Sequence, residues 1–202
     1  EDDAIVSLEE LSNKQEFKQE IAKPKFLNEE QKISSAQKGT LMHLCFQRLD
    51  ESKNYTMEQI KEFVQNLVNR NIITKQESDA INITKLYEYT KSNLWQELKN
   101  AKEVHKEQPF YVNLKSQDVY GNSSNDNILV QGIIDLYYIN SKGEIILVDY
   151  KTDRINNGEE QKLIEKYSKQ LEIYQKALEQ SLQKNVSRKY IYSVTLGKEI
   201  MI

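Results

Sequence analysis

Between residues 128 and 151 the apolar positions fall into two blocks, ILVQGIIDLYY and IILV, separated by Asn140, Ser141, Lys142 and Gly143. Branched and aromatic residues bounded by turn formers predict two strands, 128–138 and 144–150, joined as a hairpin. A helical period takes over elsewhere. Ser34 or Ser35 caps a helix running to about residue 50, with Leu41, Leu44, Cys45 and Leu49 on its apolar stripe and His43, Phe46 and Gln47 on the neighbouring one. Residues 56–101 read as a helical insertion. Thr56 with Gln59, and Thr74 with Glu77, have capping-box spacing, while Ile60, Phe63, Val64, Leu67 and Val68, then Leu86, Leu94, Trp95 and Leu98, supply apolar faces. Their role is packing.

Residues 103–114 predict a strand in which Pro109 marks an edge or a bend, with His105 exposed. The polar stretch 116–127 predicts a loop. After Asn156, Asn157 and Gly158, a helix is expected over 159–184, burying Leu163, Ile164, Tyr167, Leu171, Tyr174 and Leu178. A strand at 189–195 then closes a strand, helix, strand unit whose two strands should pair in parallel. Residues 1–33 are charged and interrupted by Pro24, which marks an arm or linker anchored by Phe26 and Leu27, ahead of a domain at 34–202. An acidic start without Met is expected of a piece of a longer chain.

The hairpin carries the first chemistry. Folding about Lys142 sets Asp135 directly across from Asp149, where Cβ atoms stand about 5 Å apart and like charges repel. Two carboxylates so close in apolar strands need a shared proton or a cation, and a hard divalent metal suits oxygen ligands. Lys151 shares the face of Asp149, about 6 to 7 Å further along the strand. Gln170 and Tyr174, one helical turn apart, can point at one place.

Composition narrows the class. The net charge of −3 over 202 residues gives no overall basic footprint for nucleic acid, so DNA would have to be delivered. A single cysteine, Cys45, excludes a disulfide framework and a cysteine-held iron-sulfur cluster within the chain. No apolar run reaches the length of a membrane span, and the expected setting is cytoplasmic, with no membrane partner.

The string G-I-I-D followed by V-D-Y-K-T-D resembles the core of the PD-(D/E)xK nuclease superfamily, in its RecB-like branch. Gly39, Thr40, His43 and Gln47 match that branch's first motif. Glu107-Gln108-Pro109-Phe110 matches its E-x-P-F pattern, and Gln170, Leu171 and Tyr174 match its Q-L-x-x-Y motif. The motifs occur in the family's order. The resemblance implies an α/β, restriction-endonuclease-like core: a mixed central sheet flanked by helices, with the helical insertion. It implies Asp135, Asp149, Lys151 and Glu107 as catalytic residues, and His43, Asp135, Asp149 and the Tyr150 carbonyl as ligands of Mg²⁺, for which Mn²⁺ can substitute. Gln170 and Tyr174 would bind substrate.

K-P-K-F-L, R-L-D and the other strings resemble, more narrowly, the nuclease domain of bacterial helicase-nuclease subunits. The expected activity is metal-dependent exonucleolytic hydrolysis of DNA during break repair and recombination. The expected partners are single strands fed by a helicase, the helicase part of the same polypeptide, and an AddB-like second subunit. A stand-alone phage or CRISPR-associated exonuclease, and a non-catalytic docking module with this fold, remain alternatives.

Overall fold

The computed structural model describes residues 5–7, 33–120 and 126–202. Six strands form one mixed sheet in the order β1-β3-β4-β5-β6, with β2 on the other edge of β3. β1 is Ile5–Ser7, β2 Glu103–Lys115, β3 Asn127–Ile139, β4 Ile145–Lys151, β5 Val186–Ser193 and β6 Lys198–Met201. Antiparallel β2 covers one edge of β3 from Asn127 to Ile139. The opposite edge is divided: β1 pairs in parallel over Leu129 to Gln131, and β4 pairs antiparallel over Leu136 to Ile139.

The hairpin register is the expected one, from Ile139 opposite Ile145 to Leu136 opposite Val148. The turn is held by Asn140 Oδ1, which accepts from the amides of Lys142 and Glu144, and Gly143 supplies its left-handed φ of 85°. Pairing stops one residue before Asp135 and Asp149. β4 continues instead beside β5, in parallel, as far as Lys151 opposite Ser193.

Helices cover both faces. On one lie α1 (Ser35–Arg48) and the insertion, which comprises α2 (Met57–Asn69), α3 (Lys75–Ala80), α4 (Ile83–Tyr89) and α5 (Asn93–Lys99). Both predicted capping boxes are present, at Thr56 with Gln59 and Thr74 with Glu77, and a third joins Ser34 to Gln37 at the start of α1. After β2 comes the short α6 (Ser116–Tyr120), and α7 (Glu160–Leu182) lies on the opposite face. The insertion is part of the core. Trp95 and Tyr89 are fully buried, Tyr89 packs against Phe46 at 4.6 Å, and its hydroxyl lies 2.7 Å from that of Tyr150 in β4.

Several expectations are corrected. Phe46 and Met42 belong to the core, whereas Leu44 is only half-buried, because α1 turns its Leu41, Met42, Cys45, Phe46, Leu49 arc to the sheet. His105, expected to be exposed, is partly buried and stacks on Tyr137 at 4.4 Å, its neighbour across the β2/β3 ladder. Residues 116–120, expected as loop, are α6, while 121–125, Phe26 and Leu27 lie outside the described residues. Residues 5–7, expected within an arm, are a strand of the sheet. None of the described helices is long and apolar enough to cross a membrane.

Trp95→Ala should destabilise the whole domain by about 3 to 5 kcal/mol, the usual cost of emptying a large aromatic site. Denaturation followed by far-ultraviolet circular dichroism should show one shifted transition; a separate early melt of the insertion would contradict a shared core.

Candidate active site

A cleft of about 830 Å³ opens where β3 and β4 part and α1 passes over them. The parting is built into the strands. Val130 and Ile134 of β3, with Phe110, Val112 and Leu114 of β2, face α7; Leu136 and Tyr138 of β3, with Val104 of β2, face α1. The alternation therefore slips on both strands between these sets. At the slip, between the Lys106–Leu136 and Gln108–Ile134 pairs, Glu107 has a left-handed φ of 51°, unusual for a residue with a side chain, and it drops out of the ladder together with Asp135. The two carboxylates thus share the cleft.

Asp135 accepts a hydrogen bond from the Tyr150 amide, 2.8 Å from its Oδ2, and its Oδ1 lies 3.4 Å from His43 Nδ1. His43 stands at the edge of the buried face of α1, its ring edge-on to Tyr150 at 5.8 Å. His43, Glu107 and Asp135 can each bring one ligand atom within 4.8 Å of the others. The Tyr150 side chain is buried against Tyr89 and does not reach the cleft. Its carbonyl, which in a strand points the same way as its amide, faces the Asp135 side.

Asp149 is 1% exposed, and its Oδ2 lies 2.7 Å from Lys151 Nζ in an ion pair, without a well-aligned hydrogen bond. Lys151 also donates to Gln170 Oε1 at 2.9 Å and sits 4.2 Å over the Tyr167 ring. Gln170 Nε2 in turn donates to the Tyr174 hydroxyl at 3.0 Å, and Tyr174 packs edge-on against Phe110. All seven residues expected to act through side chains, His43, Glu107, Asp135, Asp149, Lys151, Gln170 and Tyr174, line this one cleft.

The electrostatics are those of crowded acids. Burial raises the Asp149 carboxyl to about 7, although Lys151 pulls the other way. Burial and the neighbouring Asp135 raise Glu107. For His43 and Lys151, burial works against the charged form, but the carboxylates outweigh it and both are raised. Two half-buried carboxylates, an imidazole and a buried acid paired with Lys151 form a donor set that fits a divalent cation.

The pattern of the sequence passed over several cleft residues. Tyr167, expected on the buried face, caps the Lys151 ammonium; its spacing from Gln170 and Tyr174 was the available signal. Tyr111, 71% exposed, and Ile133, 51% exposed, line the far end with Gln131 and Ser7. A Cβ at Gly39 would stand 3.0 Å from Thr152 Oγ1, so a side chain there would make that hydroxyl give way by a few tenths of an ångström.

A model of the PD-(D/E)XK nuclease superfamily matches residues 16–199. The chain is 36% identical over 187 residues to an ATP-dependent helicase/nuclease subunit of Clostridium novyi (strain NT), covering 90% of this chain and 15% of that protein. The protein of the same name from Thermoanaerobacter sp. (strain X514) is 38% identical over 181 residues, covering 87% and 15%. That of Clostridium botulinum (strain Loch Maree / Type A3) is 36% identical over 202 residues, covering 96% and 16%. The chain therefore spans about one-sixth of the length of these relatives.

The native state holds the Asp149 proton to a higher pH than the unfolded chain does. Without divalent cations, this residue's burial penalty is absent at low pH and grows as pH rises from about 4 to about 7. Asp149→Asn removes the penalty, so the stability of the variant relative to wild type should climb across that range, by at most about 1.4 kcal/mol per pH unit. Urea denaturation in EDTA measures it; a difference independent of pH would contradict the assignment.

Proposed function

The chain belongs to the PD-(D/E)XK nuclease superfamily, and on that premise we propose that it is a metal-dependent deoxyribonuclease domain hydrolysing DNA phosphodiesters from strand ends. The carrying observation is the convergence of His43, Glu107 and Asp135 within one ligand sphere beside the Asp149 and Lys151 ion pair. His43, Glu107, Asp135 and Asp149, with the Tyr150 carbonyl, would hold the cation. Mg²⁺ is the natural choice for the oxygen donors, and the imidazole makes Mn²⁺ an effective substitute. Bound there, a divalent cation lowers the pKa of a coordinated water and neutralises charge on the scissile phosphate.

The chain's own groups do the rest. Lys151, held by Asp149, Gln170 and the Tyr167 ring, stays protonated and aims its ammonium into the cleft, where it orients the attacking water and stabilises charge on the phosphoryl oxygens. The Tyr150 amide fixes Asp135, so that the ligand is positioned before substrate arrives. Gln170, itself bonded to the Tyr174 hydroxyl, holds Lys151 from α7, and both residues meet the strand in the same cleft. Water attacks phosphorus and gives up its proton to solvent, the bond to the leaving oxygen breaks, and that oxygen departs protonated from solvent.

The similarity to helicase/nuclease subunits supports a larger setting. In it, a helicase within the same polypeptide feeds single strands to this domain, an AddB-like second protein completes the complex, and the work is cytoplasmic break repair and recombination.

End-labelled single- and double-stranded DNA incubated with Mg²⁺, Mn²⁺ or EDTA tests the activity; cleavage in EDTA or none with either metal would overturn it. Lys151→Ala should lower turnover about a hundredfold or more, equivalent to about 1.4 kcal/mol of barrier per factor of ten. Near wild-type turnover in that variant would remove Lys151 from the mechanism. A cation bound only by the folded form raises the melting temperature, by about 2.7 kcal/mol of stability at a hundredfold excess over Kd. Asp135→Asn should lose most of that Mn²⁺-induced shift; an equal shift in both proteins would mean that Asp135 is not a ligand.

A further inference from the structure

A second groove, of about 580 Å³, lies on the other side of α1 from the acidic cleft. The two share Gly39. Their charge differs: the first carries the carboxylates Glu107, Asp135 and Asp149 beside His43 and Lys151, whereas the second is lined by Lys38, Lys85 and Arg154 and, among the described residues, by no carboxylate. Lys85 is paired with Glu88 at 2.6 Å, but Lys38 and Arg154 are exposed and have no ion-pair partner among the described residues. In a chain of net charge −3, two cations with no ion-pair partner among the described residues concentrate positive potential in this groove. Arg154 lies three residues beyond Lys151, no more than about 11 Å along the chain. Gly39 lines both clefts and presents no side chain to either, and the position its Cβ would take lies 3.0 Å from Thr152 Oγ1.

A polynucleotide is anionic at every step, so a phosphate among the acids has neighbours that must lie somewhere. We infer that the groove of Lys38, Lys85 and Arg154 binds the phosphate backbone of the DNA strand on one side of the scissile bond, the strand crossing from cleft to groove over Gly39. Contacts of this kind carry affinity and register but read no bases. The groove therefore grips long strands, and a strand too short to cross Gly39 gains nothing from it. The inference rests on the nuclease reading above and adds the path of the strand.

The test pairs Lys38→Glu with Arg154→Glu in the 202-residue chain. The control protein, Lys142→Glu with Lys184→Glu, makes the same change in net charge at exposed positions near the opposite end of the β4/β5 ladder. Fluorescence anisotropy in EDTA gives the affinity of each protein for labelled single strands of about 6 and about 30 nucleotides at several salt concentrations, and cleavage of both lengths is followed with Mn²⁺. In the Lys38, Arg154 variant, the advantage of the long strand over the short one should shrink at least tenfold. The slope of log K against log salt should fall by about 1.4, two phosphate contacts at about 0.7 each on single strands. A Mn²⁺-induced melting shift equal to that of wild type shows that the fold and the acidic cleft are intact. An undiminished long-strand advantage, or an equal loss in the control, would overturn the inference while leaving the nuclease reading standing if wild type still cleaves. Absence of both cleavage and strand binding in wild type would overturn both.

Discussion

Everything at the site depends on how the fold holds carboxylates together against their repulsion. Asp135 and Asp149 arrive on strands that stop pairing immediately before them, so the acids meet across a gap in the ladder. The freed backbone is not wasted: the Tyr150 amide turns to Asp135, and Lys151 closes on Asp149. Glu107 is brought in by a left-handed backbone that costs about 1 to 3 kcal/mol in ordinary settings. Repulsion, burial and strain all accumulate at one place, and a cation relieves the first two.

The two hydrophobic cores explain why this accumulation is tolerated. On the α1 face, the Phe46, Tyr89, Tyr150 and Tyr192 rings pack at tilted and edge-on angles, and Trp95 seals them from the insertion side. Tyr150 belongs to this cluster through its side chain and to the cleft through its backbone. The insertion therefore acts on the site without touching it, by clamping the strand that carries Asp149 and Lys151. On the other face, α7 packs Leu171, Tyr174 and Leu178 into the sheet, and the same packing presents Gln170 and Tyr167 to Lys151. Each layer supports one half of the cleft.

Much of this was legible in one dimension because it rests on local rules. The Ser34 cap, two capping boxes, the Asn140 to Gly143 turn and the alternation of apolar residues set the helices, the hairpin and its register, and those depend on neighbours within a few residues. The residues that line the candidate cleft were legible as well, through spacing and through resemblance, since Asp149 and Lys151 share a strand face and Gln170 and Tyr174 a helix face.

Tertiary structure alone decided what long-range packing decides. The slip in alternation at Glu107 and Asp135 is invisible to a period of two, because nothing local marks where a strand will change the face it buries. The burial of Phe46 in place of Leu44 follows from the angle at which α1 crosses the sheet. The joining of Ile5 to Ser7 to β3 is a contact between residues more than a hundred positions apart. The gathering of Lys38, Lys85 and Arg154 likewise needed three separate segments to meet, which is why an acidic chain gave no hint of a basic groove. Sequence determined the elements and the reactive groups they carry, since those depend on near neighbours; the sheet's edges, the slip and the distribution of charge were decided only when distant segments packed.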